Sequence, residues 1–176
     1  FKTQKNVAQL QPLGTKNGYQ HLWLEATGKT DQPTACFTFV NDNRFYSIST
    51  VCNTNTEFLF TRLGANDPDF NLRSETAFML RQPNSTRHSF VSVIEPHGLY
   101  DLTKEITENY KSGITGIEVL NDDSEYTAVK IRTSASKTFL LITLNKDFDV
   151  AKTRTVQING KDITFRGNYL FKDITN

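Results

Sequence analysis

Apolar and polar residues alternate with a period of two along most of this chain, which is the mark of half-buried β-strands and not of helices. The pattern predicts strands over Tyr19–Ala26, Thr34–Val40, Arg44–Cys52, Thr56–Arg62, Thr76–Gln82 and Arg87–Glu95. It resumes over Ile114–Leu120, Glu125–Thr133, Lys137–Leu144, Thr155–Ile158, Asp162–Phe165 and Tyr169–Lys172. Turn residues separate these runs. Asn41-Asp42-Asn43 and Asn159-Gly160 are hairpin chemistry, because Asn, Asp and Gly tolerate the left-handed backbone of a tight turn. Pro83-Asn84-Ser85-Thr86 is expected to join its two flanking strands as a further hairpin. Pro96-His97-Gly98 is expected to be a turn that holds His97 near a loop surface. Only Leu102–Tyr110 has helical character, and Gly113 and Gly116 end it, so a helical turn or irregular connection is expected there.

Short strands at intervals of about ten residues, with almost no helix, predict an all-β fold: an antiparallel β-sandwich or jelly roll. Residues 1–17 read as a linker or edge segment, and residues 18–176 as a single sandwich domain. Thirteen Phe, six Tyr and one Trp supply the bulky apolar surface for its core, while a single Met argues against a helical bundle. The first residue is Phe, which suggests a processed product or an excised fragment.

Charge narrows the partners. Twenty Lys plus Arg against 19 Asp plus Glu leave a net charge of +1, so a polyanion must be held by a local patch and not by a global field. No basic run or reading motif points to nucleic acid. Apolar runs such as Phe139–Ile142 are too short to span a bilayer, so no membrane is expected. Cys36 should lie opposite a residue near Ile48, not opposite Cys52, which favours two buried thiols over a bridge.

Catalytic motifs are missing. The three histidines, His21, His88 and His97, have no metal-ligand spacing, and neither a nucleophile elbow nor a phosphate loop occurs. Asp67-Pro68-Asp69 and Asn121-Asp122-Asp123 offer oxygens that Ca²⁺ would accept, yet neither matches a twelve-residue calcium loop, so no cofactor or metal is expected. Asn84-Ser85-Thr86 fits the N-glycosylation pattern, which only a eukaryotic secretory host would use.

Arg62-Leu63-Gly64-Ala65-Asn66-Asp67-Pro68-Asp69-Phe70-Asn71-Leu72-Arg73 and Phe90-Val91-Ser92-Val93-Ile94-Glu95-Pro96-His97-Gly98 resemble a known family. With Gly18-Tyr19-Gln20-His21-Leu22-Trp23 and Asn43-Arg44-Phe45-Tyr46, they are similar to the C-terminal β-sandwich of heparinase II/III-like polysaccharide lyases of the alginate and oligoalginate type. The resemblance runs from about residue 18 to residue 100, and more weakly beyond. It implies a bacterial, secreted or periplasmic protein whose catalytic Tyr, His and Asn lie in an upstream domain. No position here matches those residues, so none is expected to be catalytic and the chain alone is expected to be inactive.

Given that implied substrate, the alternation suggests where a polyuronate would bind. Tyr19, His21, Trp23 and Glu25 share one strand face, and sugar rings stack on Tyr and Trp. Arg44 and Tyr46 share another, and Arg62 and Arg73 flank the 64–71 loop, with Arg81 and Arg87 about the 83–86 turn. The planar fork of Arg matches a carboxylate. Tyr19, His21, Trp23, Arg44, Tyr46, Arg62 and Arg73 are therefore the expected ligand-binding set for alginate. The alternatives are a structural domain that braces the catalytic part, or a fragment of the active enzyme.

Overall fold

The computed structural model describes the backbone of Lys2–Thr3, and residues 10–64 and 75–175 in full. Among the described residues fifteen strands carry the fold: β1 (Lys2–Thr3), β2 (Gln11–Pro12), β3 (Leu22–Gly28), β4 (Thr34–Asn41), β5 (Arg44–Val51), β6 (Glu57–Leu63), β7 (Glu75–Arg81) and β8 (Ser92–Asp101). They continue with β9 (Ile106–Glu108), β10 (Ile114–Asp122), β11 (Tyr126–Thr133), β12 (Thr138–Leu144), β13 (Thr153–Ile158), β14 (Lys161–Arg166) and β15 (Tyr169–Asp173). All the pairings are antiparallel. The all-β antiparallel class read from the alternation is the class the chain adopts.

The chain forms two compact units. The first takes in residues up to Pro33 and Cys52–His88; the second takes in Thr34–Val51 and everything from Ser89. The first unit holds one sheet of order β1-β3-β6-β7, with β2 also on β3. Its central strand β6 buries neighbouring residues, Phe58 and Leu59, each 1% exposed, so both faces of that strand are covered. Phe78 stacks on Phe58 at 6.4 Å and tilts against Phe60 at 5.3 Å.

The second unit holds a sheet of order β4-β5-β8-β9, a sheet of order β10-β11-β12-β15 and the hairpin β13-β14. Ala128, Leu140, Ile142 and Leu144 point from β11 and β12 onto Val156, Ile158 and Phe165 of the hairpin. This stacks two layers face to face as in a β-sandwich. Burying such side chains stabilises by roughly 1.5–3 kcal/mol each.

Local turn chemistry places most strands. Asp42 and Asn43 at φ 48° and 66° make a two-residue turn, as do Asn159 and Gly160 at 51° and 76°. The first turn pairs Asn41 with Arg44 and sets Cys36 opposite Ser49, one residue from the expected partner. The two cysteines form no disulfide; Cys52 is buried, whereas Cys36, on the edge strand β4, is exposed.

Four expectations are corrected. Tyr19–His21 form a single 3₁₀ turn, not the start of a strand, because Gly18 takes φ 89° and β3 begins only at Leu22. The strands on either side of Pro83–Thr86 do not pair. Among the described residues β7 pairs only with β6, and the chain crosses to the second sheet, where β8 fills the open side of β5. Pro96-His97-Gly98 lies inside β8, and 102–110, expected as a helical turn or irregular connection, makes a turn and strand β9. Asp101 Oδ1 accepts the Thr103 and Lys104 N–H groups, which holds the β8–β9 turn. No helix among the described residues is long and apolar enough to cross a membrane.

Candidate functional site

The expected ligand-binding residues divide between the units. In the first, Tyr19 is 43% exposed and His21 is exposed, but both belong to the 3₁₀ turn. Trp23 is 7% exposed, and its indole N–H donates to Gly64 O at 3.1 Å. The open aromatic strip expected at 19, 21, 23 and 25 therefore does not form, because its tryptophan faces into the protein. Arg62 donates from Nε and Nη2 to Glu25 at 3.2 and 2.9 Å. Glu25 is the extra residue of a bulge in β3, which swings its carboxylate towards Arg62. That carboxylate raises the Arg62 pKa above its ordinary value and occupies the fork that a uronate would need. Arg73 and the loop before it lie outside the described residues.

In the second unit, Arg44 and Tyr46 do share a face, and the turn register adds to it. Phe39 lies opposite Tyr46, the rings stacked at 5.5 Å with 15° between planes. Phe37 and Ile48 pair next along, and Ile94 and Pro96 of β8 complete the row. Phe39 is 47% and Ile94 67% exposed. The result is a flat apolar sheet face, with the exposed guanidinium of Arg44 two residues from Tyr46. Arg44 makes no salt bridge among the described residues, so its fork is open to an outside carboxylate.

The opposite face of this sheet is polar and tied down. Ser47 Oγ lies 2.7 Å from both His97 Nε2 and Thr38 Oγ1, and His97 Nδ1 lies 2.8 Å from Asn109 O. A carbonyl only accepts, so Nδ1 carries a proton; with a neutral ring, Ser47 would donate to Nε2 and accept from Thr38. The ring also stacks on Phe45 at 6.2 Å. The Ser–His pair resembles a nucleophile and its base, but Ser47 is 0% exposed and no substrate carbonyl reaches it. Glu95 accepts the Gly113 N–H and the Ser112 hydroxyl, which anchors the start of β10.

Most remaining charges neutralise one another. Arg81, with Lys29, lowers the Glu57 pKa, and Lys130 and Arg132 lower that of Glu118. Among the described residues no group of three or more His, Cys, Asp and Glu is placed to hold a metal ion. Phe39 was missed in the sequence, although the Asn41–Arg44 register sets it against Tyr46. Alternation alone does not say which strand faces stay uncovered.

No protein-family model matches the chain. It is 37% identical over 128 residues to an exo-oligoalginate lyase of Saccharophagus degradans, an alignment that covers 71% of this chain and 17% of that protein. It is 35% identical over 136 residues to an alginate lyase of Stenotrophomonas maltophilia, covering 77% of this chain and 18% of the relative. The chain thus corresponds to under a fifth of the length of either relative.

Proposed function

We propose that this chain is the non-catalytic C-terminal β-domain of an alginate lyase, and that it holds acidic polysaccharide on the outward face of β4, β5 and β8. The similarity to two proteins named as alginate lyases supports the enzyme context, and the short span matched fits a part of such a protein. The observation that carries the binding role is the stack of exposed Phe39 on half-buried Tyr46, beside Arg44, which makes no salt bridge among the described residues. Sugar C–H faces lie flat on such rings, while the guanidinium takes a uronate carboxylate in two parallel hydrogen bonds. The intact protein would cleave its polymer by β-elimination with residues outside this chain. Secretion or periplasmic residence in a bacterium belongs to the same reading.

Affinity electrophoresis in gels containing polymannuronate or polyguluronate tests it. The chain is expected to be retarded, and Phe39→Ala and Arg44→Gln to weaken binding by roughly 3- to 10-fold each. Added salt should weaken the parent steeply and Arg44→Gln less, since the variant has lost the screened contact. Unchanged mobility of the parent at millimolar sugar would favour a second reading. The aliphatic side chain of Ile94, 67% exposed on the same face, suits a surface that braces the rest of a lyase.

A further inference from the structure

β14 ends at Arg166, and Gly167 and Asn168 carry the chain into β15, the last strand of its sheet. Gly167 takes φ 103° and donates its N–H to Lys152 O at 3.0 Å, which pins this turn against the 149–152 segment. An open cleft of about 470 Å³ lies between them, walled by Val150, Arg166, Asn168, Tyr169 and Phe171. Strand alternation puts Tyr169 and Phe171 on one side, 65% and 57% exposed, and Phe139 stacks behind Phe171 at 5.3 Å. Arg166 is exposed and makes no salt bridge among the described residues, whereas Arg62, Arg81, Arg132 and Arg154 each do. The neighbouring carboxylates do not compete for it. Lys152 and Arg154 hold Asp147, and Asp149 turns in on the Ala151 N–H. Asn168 also lines the cleft, but its Oδ1 is turned into the protein, buried and without a hydrogen-bond partner among the described residues.

We propose that this cleft is a second binding site for an acidic sugar residue, separate from the β4–β5–β8 face. The ring lies on Tyr169 and Phe171, and Arg166 takes the carboxylate. Charge complementarity selects the occupant, because in both places an arginine without a carboxylate partner stands beside exposed aromatic rings. The inference rests on the reading of the chain as a polyuronate binder.

Nitrogen-15 NMR titration of the whole chain with trimannuronate and triguluronate, and with neutral cellotriose as control, separates the two. Saturable amide shifts at Val150 and residues 166–171 are expected, and Arg166→Gln should weaken that site roughly tenfold. Tyr169→Ala, at an exposed edge position, should weaken it without Arg166 being touched. Shifts confined to residues around Phe39, Arg44 and Tyr46 would overturn the cleft and leave the earlier reading standing. Silence everywhere at millimolar sugar would overturn both. Equal shifts with cellotriose, or saturation unchanged in Arg166→Gln, would reject an acidic ligand here.

Discussion

Trp23 is the chain's single tryptophan, and its environment decides what its loss would do. Its ring is buried and its N–H satisfies Gly64 O. Trp23→Phe leaves that carbonyl without its donor and should cost about 1–3 kcal/mol. Trp23→Ala adds a cavity and should cost about 3–5 kcal/mol, measured by urea unfolding. Neither should change retardation by alginate beyond the effect of unfolding. Gly98 is a sharper case. It is the extra residue of a β8 bulge at φ 51°, and an added Cβ would stand 2.2 Å from Glu108 O and 2.3 Å from Asn109 O. Gly98→Ala should therefore destabilise by at least about 2 kcal/mol, and should loosen the β8–β9 pairing first in hydrogen exchange. Arg62 shows why single residues were hard to read in the sequence. Its partner Glu25 lies 37 positions away and reaches it only through a bulge, which no spacing rule reports.

Strands and turns were the most legible level, because their signals are local. Asn159-Gly160 and Asn41–Asn43 specify their turns through residues that accept positive φ, and register then follows by counting. Leu102, Ile106 and Tyr110, spaced by four, mimicked a helical stripe, yet all three are exposed, at 64%, 46% and 50%. Periodicity reports spacing, not burial. The β12–β13 connection, residues 145–152, shows an element held by charge. Lys152 donates to Asp147 Oδ2 at 2.7 Å and Arg154 at 3.1 Å, which lowers the Asp147 pKa to about 2 from an ordinary 3.8. A depressed folded pKa contributes stability that is present above the unfolded value and lost as pH falls through the folded one. Asp147→Asn should thus be less stable than the parent at neutral pH, and the gap should close between about pH 4 and pH 2. Urea midpoints measured across that range check the sign, and a gap that persists below pH 2 would contradict it.

At the scale of the whole molecule, connectivity was the least legible feature. β7 and β8 are consecutive strands, so sequence proximity favoured pairing them. The empty side of β5 instead captured β8. Long-range pairing of this kind depends on which edges other strands leave open, and the alternation of neither partner encodes it. The same uncertainty hid Tyr169 and Phe171, whose exposure follows from β15 being the last strand of its sheet. With a net charge of +1 the molecule exerts little pull on a polyanion at a distance, so capture falls to individual arginines at short range. The β4–β5 hairpin, which carries Phe39, Arg44 and Tyr46, departs after Pro33 and returns at Cys52. The Cys52 N–H donates to Pro33 O at 3.1 Å, and its thiol to Gln32 O. The two ends of this excursion thus lie side by side. A different aromatic hairpin could be spliced in at that neck without re-threading β3, β6 or β7, provided that its second strand still offered β8 a partner.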